Sequence, residues 1–489
     1  MRELVFLMTE KQIQTAFESK SNLFITGPAG VGKSYRINDF ISRHPELNIL
    51  MCAPTGIAAM NIGGDTAHRV FHIPVPAYQP PTFAKGRKGA VTESMLKVIA
   101  QADVIFLDEV SMMRNDNFSF MIKVIRRAEK LKGSKIRLIV SGDFSQLPPV
   151  VKKTELGILK KFGFDTSGYP FTTSEWRSCR FKVVELTQVM RQDDAEFIEN
   201  LNKIRVGDCS DLSYWDRFVC ENPDYGSAIV VCGTNAEADR INREYLDSLP
   251  GDLKVLQSHK LGFCSAGYVD DIILVKEGCR VIFTVNDNIG KAYHNGTFGI
   301  VKSVGSENVV VTVNDKDIVV KQHDFTIYSY NLKGGSLVKT EAAVIRQFPF
   351  KLGKAITIHK SQGQTFDRMV LSPEIFAPGQ LYVALSRVRN PEGLVLLKPL
   401  CAEYLIVDDT VKRFYENGYT WEAAKRTAST KKSVSACKKN AVKCSKSAVA
   451  KSCKQQNRQR KSTESTVLTK RLTVGTKKPA IKRAKSSKK

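Results

Sequence analysis

The run Gly27-Pro28-Ala29-Gly30-Val31-Gly32-Lys33-Ser34 follows a strand candidate, Asn22 to Thr26, and precedes a helical pattern. In that context the glycines let the backbone turn so that several N–H groups face one phosphate, and the following helix adds its positive end. Such a turn belongs with a parallel sheet covered by helices. The rest of the segment agrees: strand candidates at Ile49 to Ala53, Val104 to Leu107 and Ile136 to Ser141 alternate with helical stretches. Gly27, Gly30 and Gly32 shape the loop, Lys33 is placed to neutralise β- and γ-phosphates, and Ser34 to hold Mg²⁺.

A second signal is Val104-Ile105-Phe106-Leu107-Asp108-Glu109, an apolar strand that delivers two adjacent carboxylates at its C-terminal end. One carboxylate can hold the metal's water shell while the other orients and deprotonates an attacking water. Asp108 is assigned to Mg²⁺ and Glu109 to the general base. Together the two motifs specify a nucleoside triphosphatase using ATP and Mg²⁺, without saying what the hydrolysis drives.

With 489 residues, 42% apolar and 25% charged, the chain is neither disordered throughout nor collagenous, and it is long enough for several domains. The formal charge of +25 makes a polyanion, usually nucleic acid, the first partner to consider. That charge is uneven. Residues 425–489 hold 22 of the 74 Lys and Arg and one of the 49 acids, Glu464, which leaves 52 cations against 48 acids, or +4, for residues 1–424. Beyond Trp421 there is no Phe, Tyr or Trp, so 425–489 is expected to be a disordered basic tail that binds nucleic acid without reading bases. Lys477-Lys478-Pro479 with Lys482-Arg483 also fits a nuclear import signal, and a plain solubilising tail is the bland alternative.

Eleven scattered cysteines without a CxxC argue for a reducing compartment, and Cys437, Cys444 and Cys453 have no ligand spacing. No run of 18 apolar residues suggests a membrane span, and no Cys/His pairing suggests zinc. The chain should be soluble and intracellular. Pro74 to Gly89 reads as an exposed loop, and from Val275 to Val344 short strands separated by Gly and Asn turns read as a small all-β insertion.

Five further strings complete the set. They are Ala53-Pro54-Thr55-Gly56-Ile57-Ala58-Ala59, Gly142-Asp143-Phe144-Ser145-Gln146-Leu147-Pro148-Pro149, Leu186-Thr187-Gln188-Val189-Met190-Arg191-Gln192, Ile356-Thr357-Ile358-His359-Lys360-Ser361-Gln362-Gly363-Gln364-Thr365 and Tyr382-Val383-Ala384-Leu385-Ser386-Arg387. With the first two motifs they resemble, in order and spacing, the helicase motifs of the Pif/RecD-like branch of superfamily 1, from about Thr9 to Leu394.

The resemblance implies an α/β chain of two RecA-like parallel-sheet domains that clamp ATP between them. The implied division is 1–170 for the first domain, with a loop excursion near 74–95, and 171–400 for the second. A β-barrel insertion occupies 275–345, entered near Tyr293 to Gly299 and left near Gln347 to Pro349, and 401–424 is a C-terminal helical segment before the tail. By the same resemblance Gln146 senses the γ-phosphate and couples it to DNA, Arg191 and Arg387 act as arginine fingers, and Gly363 and Gln364 join the nucleotide site. Gln12 has two readings, recognition of the adenine edge or a capping box with Thr9.

Single-stranded DNA is implied to run over Pro54, Thr55, Gly56, Thr66 and His68 and over His359, Lys360, Ser361 and Gln362, though His68 and His359 also read as core histidines. Family members usually carry Ser and an aromatic after the first of these histidines; this chain has His68-Arg69-Val70-Phe71, with Arg69 as a substitute phosphate contact. Between Asn115 and Lys135 a further family signature is met only by Phe118, Ile122 and Ile125.

The implied activity is an ATP- and Mg²⁺-dependent 5′-to-3′ DNA helicase acting in replication, repair or recombination on single strands and duplex junctions. The alternatives are a translocase that displaces proteins or acts on RNA, and a nucleic-acid-binding ATP switch. A monomer is expected. The short leader before Gly27 resembles viral or bacterial members, and the basic tail points to a nucleus or viral replication site, with the cytoplasm as the alternative.

Overall fold

Short apolar runs become buried parallel strands here because helices cover both faces of the sheet they form. In the computed structural model the first sheet contains β1 (Leu23–Thr26), β2 (Ile49–Ala53), β3 (Asp65–Thr66), β4 (Val104–Leu107), β5 (Arg137–Ser141) and β6 (Lys182–Glu185). Their order is β3-β2-β4-β5-β1-β6, and all pairs are parallel. β1 and β4 are buried at every position. Parallel order puts the C-terminal ends of β1, β4 and β5 at one edge, where Gly27, Asp108 and Gly142 begin their loops. The structure describes residues 9–421 apart from 75–78, 84–90, 224, 226–227, 263–268, 288–289 and 306. The basic tail at 425–489 and most of the loop expected at 74–89 therefore lie outside the described residues.

A second parallel sheet has the order β18 (Ala355–Thr357), β7 (Ile229–Cys232), β19 (Met369–Leu371), β20 (Leu394–Leu396). The division at 170 needs correction, because β6 lies beyond it and pairs with β1 from Leu23↔Lys182 to Thr26↔Glu185. The chain then returns: the helix Asp409–Glu416 buries Val411 and Phe414 in the core of the first sheet, with Phe414 stacked on Phe171 at 4.1 Å. The expected C-terminal helical segment thus belongs to the first sheet's core rather than extending the second.

Between β7 and β18 lies the β-rich insertion, wider than the expected 275–345. Its main sheet runs β14 (Lys316–Lys321), β13 (Asn308–Val313), β12 (Phe298–Val304), β11 (Arg280–Phe283), β17 (Phe350–Leu352), all antiparallel, with a bulge in β12. Alternating burial along β13 puts Val309, Val311 and Val313 into its small core. Two more strand groups flank it, β8 (Lys254–Gln257) with β10 (Ile272–Val275), and β9 (His259–Gly262) with the hairpin of β15 (His323–Lys333) and β16 (Ser336–Gln347). That hairpin reaches the first sheet, where Tyr330 hydroxyl accepts from Met51 N at 2.9 Å. Phe118, Ile122 and Ile125 line the buried side of the helix Asn115–Lys132. Among the described residues no helix is long and apolar enough to cross a membrane.

Candidate nucleotide site and nucleic-acid track

The glycines of the first loop are there for space and for backbone sign. At φ +137° a Cβ on Gly27 would sit 2.0 Å from Leu186 O, and at φ +82° a Cβ on Gly30 would sit 2.6 Å from Arg191 Cβ. Gly32 starts the helix Lys33–Arg43 with no side-chain cap, so the first helical N–H groups remain open to an anion. Lys33 Nζ donates to the carbonyls of Gly27 and Pro28, each at 2.9 Å. Burial lowers its pKa, opposed by Asp143, Glu109 and Asp108 nearby. Ala29 N donates to Tyr382 hydroxyl at 2.8 Å, tying the loop to the second sheet's helix Gln380–Leu385.

Asp108 accepts from the Ser141 hydroxyl on β5 and from Glu109 N at 2.9 Å. Burial pushes its pKa up, and those two hydrogen bonds oppose the shift. Glu109 adopts φ +49°, a left-handed conformation that costs a non-glycine residue roughly 1–2 kcal/mol. Burial, then the neighbouring Asp108, raise its carboxyl to about 7, while Lys33 and Arg387 work the other way. Its Oε2 accepts from Gln362 Nε2 at 3.1 Å. A loop that a Cβ on Gly27 or Gly30 would crowd, uncapped helical N–H groups and Lys33 suit a nucleotide's phosphates. The Ser34 hydroxyl with the buried Asp108 and adjacent Glu109 is a hard-oxygen donor set that fits Mg²⁺.

Around Asp143 the structure adds residues to which no motif assigned a role. Fully buried, Asp143 receives Arg205 Nη2 at 3.0 Å and Nε at 3.2 Å, Tyr415 hydroxyl at 3.0 Å and Ser145 N at 3.1 Å. Burial works to raise its pKa, but Arg205 and Lys33 hold it below the usual carboxylate value. Gln146 Nε2 reaches the same carboxylate at 3.4 Å. Arg205 had a legible signal: Phe197, Leu201 and Ile204 mark the buried stripe of the helix Ala195–Val206, and Arg205 continues it one turn beyond Leu201. Tyr415 had none, being brought in by the returning C-terminal helix.

The two arginines assigned as fingers meet at the same place. Arg191 Nη1 donates to Ser386 O at 3.1 Å. Arg387, buried, donates to Val383 O at 2.8 Å, Ser386 Oγ at 2.7 Å and Gln364 O at 3.5 Å. Burial, then Arg191 beside it, lower its pKa to about 9, while Glu109 acts in the opposite sense. Gln192 donates to the carbonyls of Ser386 and Val388 at 3.1 and 3.0 Å, anchoring the Arg191 segment to the second sheet's side.

The expected nucleic-acid residues divide into open and inward-facing groups. Thr55 and Thr66 cap the short helices Gly56–Asn61 and Ala67–Val70 through their hydroxyls, leaving Pro54, Thr55, Gly56 and Thr66 partly exposed. His68 Nε2 lies 3.2 Å from Asn117 Nδ2, and burial lowers the pKa of both His68 and His359. Arg69 is paired with Asp65 at 3.4 Å rather than standing free for phosphate. Lys360 is exposed and His359 partly so, but Ser361 is fully buried with its hydroxyl on Ile358 O, and Gln362 is turned onto Glu109. Neither Ser361 nor Gln362 therefore faces a strand in this conformation, because the tight turn directs both inward.

Gly363 is exposed, with nothing within 4 Å of an added Cβ, and Gln364 reaches the site only through its carbonyl on Arg387. Gln12 forms the capping box: its Oε1 accepts from Thr9 N at 2.8 Å, and Thr9 Oγ1 accepts from Gln12 N at 3.3 Å.

Against known proteins, the family model of the PIF1-like helicases matches residues 8–214. The ATP-dependent DNA helicase Pif1 of Campylobacter jejuni is 30% identical over 433 residues, covering 81% of this chain and 94% of that protein. The mouse ATP-dependent DNA helicase PIF1 is 31% identical over 77% of this chain, which spans 57% of the mouse protein's length. The crystal structure of Bacteroides sp Pif1 in complex with ADP-AlF4 superposes with a TM-score of 0.74 at 30% identity, covering 84% of this chain and 96% of that one.

Proposed function

The chain belongs to the PIF1-like helicase family, and from that membership we propose a working mechanism for an ATP-dependent DNA helicase that moves 5′ to 3′ on single-stranded DNA. The observation that carries it is convergence: Lys33, Asp108 and Glu109 from the first sheet meet Arg191 and Arg387, which are anchored on the second sheet's side through Ser386.

In this mechanism the first loop's N–H groups and Lys33 hold the phosphates, and Ser34 and Asp108 hold Mg²⁺. Mg²⁺ held by those two residues would supply positive charge to offset that of the phosphates. Glu109 takes the proton of the attacking water, and burial keeps its basicity near neutral pH. Arg191 and Arg387 meet the charge that develops on the transferring group, a contribution typically worth about 10³–10⁵ in rate. Gln146, bonded to Asp143, reads the γ-phosphate side. Arg191 and Arg387 now donate to Ser386 O and Val383 O, and in this mechanism they exchange those partners for the phosphoryl group as the cleft closes on ATP.

Pro54, Thr55, Gly56, Thr66 and His68 on one half, and His359 and Lys360 on the other, grip the strand by phosphate contacts that ignore sequence. Alternating grip turns each cleft movement into a step. The domain division that fits the sheets places 9–185 with 409–421 in the first unit, and β7 to β20 with the β insertion in the second. Action in replication, repair or recombination fits this chemistry, and a nuclear placement rests on the basic tail.

Duplexes carrying a single 5′ or 3′ tail test the proposal. Unwinding with ATP and Mg²⁺ is expected from the 5′ tail, and unwinding only from the 3′ tail refutes the direction.

A further inference from the structure

The most direct side-chain link between the DNA-facing turn and the catalytic carboxylates is Gln362. Its Nε2 donates to Glu109 Oε2 at 3.1 Å, across 253 residues of chain, and its Oε1 is buried with no hydrogen-bond partner among the described residues. The turn that carries it is tightly braced. Lys360 N donates to Thr357 Oγ1 at 3.3 Å, Ser361 Oγ to Ile358 O at 2.8 Å, and Gln364 N to Ser361 O at 3.0 Å. Arg387 Nη1 holds the far end through Gln364 O at 3.5 Å. Thr357 ends β18 in the second sheet, whereas Glu109 follows β4 in the first. At the open face of the same turn, Lys360 is exposed and His359 partly so. Glu109, with φ +49°, has little backbone freedom to re-aim its carboxylate by itself.

We propose that Gln362 is a positioning residue for Glu109: a strut through which the turn from Thr357 to Gln364, loaded by DNA phosphate at His359 and Lys360, sets where the carboxylate points. This rests on the reading of Glu109 as general base. The physical argument is rigidity. A turn closed by four hydrogen bonds moves as a unit, so a phosphate that displaces Lys360 also displaces the Gln362 amide two residues on. The Glu109 carboxylate, joined to that amide, is re-aimed relative to the attacking water. Single-stranded DNA thereby controls hydrolysis without touching the nucleotide, and Gln362 leaves the DNA-contacting set expected from the sequence.

The test is Gln362→Met in the full chain, which keeps the length and removes the donor. For DNA-stimulated ATP hydrolysis kcat should fall roughly 10-fold or more, the scale of one lost hydrogen bond to a charged group. The ratio of stimulated to basal rate should fall with it, while KM for ATP and the half-saturating oligothymidylate concentration stay within about twofold. Gln362→Asn, one methylene too short to reach, should behave alike. Added to Glu109→Gln, the Met substitution should cost nothing further, because both changes act through one carboxylate.

An unchanged kcat with a raised half-saturating oligonucleotide concentration overturns the proposal and makes Gln362 a phosphate contact. So does a further loss in the double variant, or a general loss of thermal stability that both Gln362 variants share. Wild-type turnover by Glu109→Gln removes the base reading itself. An inactive Glu109→Gln beside a fully stimulated Gln362→Met removes only the strut.

Discussion

Arg205→Met offers a quantitative check on the site, because Arg205 and Asp143 form an ion pair across which the buried interior must stay neutral. Asp143 is fully buried, and Arg205 meets both of its oxygens at 3.0 and 3.2 Å. Removing one partner of a buried pair typically costs about 3–5 kcal/mol, since the remaining charge is left without compensation. Asp143 would still accept from Tyr415 hydroxyl and Ser145 N and would still face Lys33, so the loss should fall near the lower end, about 3 kcal/mol. Arg205→Met with Asp143→Leu should recover most of it, because replacing both partners removes the stranded charge.

The pH dependence has a fixed sign. Asp143 has a depressed folded-state pKa, so its contribution is present above its unfolded value of about 3.9 and is lost as pH falls through the lower folded value. The gap between wild type and Arg205→Met should therefore be narrower at pH 3.5 than at pH 7, and close only below the depressed folded value. Urea unfolding at pH 7 and at pH 3.5, followed by the fluorescence of Trp176, which packs on Phe144 at 5.7 Å, reports the sheet that holds this pair. A single-variant loss under about 1 kcal/mol at neutral pH, or a double variant whose losses simply add, would show that Arg205 does not offset a buried Asp143 charge.

Lys33→Ala should abolish ATP turnover while oligonucleotide binding, read by fluorescence anisotropy, is largely kept; retained hydrolysis would remove Lys33 from the phosphates. Gly30→Ala should lower hydrolysis at least roughly 10-fold through a strained φ and a displaced Arg191, with a normal rate showing that the loop relaxes. Tyr382→Phe strips the acceptor from Ala29 N and should cost about 1 kcal/mol of stability, read as a lower urea midpoint. Deleting residues 425–489 should weaken DNA binding and flatten its salt dependence by about 0.7–0.9 per lost phosphate contact, leaving single-strand-stimulated ATPase intact.

What the sequence determined by itself was local. The phosphate loop could be read because left-handed glycines, a lysine and an apolar strand must follow one another within a dozen residues, and the structure gives Gly30 and Gly32 φ values of +82° and +78°. Ile49–Ala53 and Val104–Leu107 matched to the residue because a strand in the middle of a helix-covered parallel sheet needs an unbroken apolar run, fully buried at Val104–Leu107 and partly so at Ile49 and Met51. The Thr9 capping box was equally legible, since its partners are three residues apart.

Tertiary structure alone decided the pairings that make the site work. Ala29 meets Tyr382 across 353 residues, Asp143 meets Tyr415 across 272, and Glu109 meets Gln362 across 253. β6 joins the first sheet although it lies beyond the expected boundary, and the helix Asp409–Glu416 returns to that sheet's core. The physical reason is common to all of them. A buried charge or donor takes its partner from whichever element sheet order and crossover place beside it, and neither spacing nor periodicity along the chain encodes that neighbour.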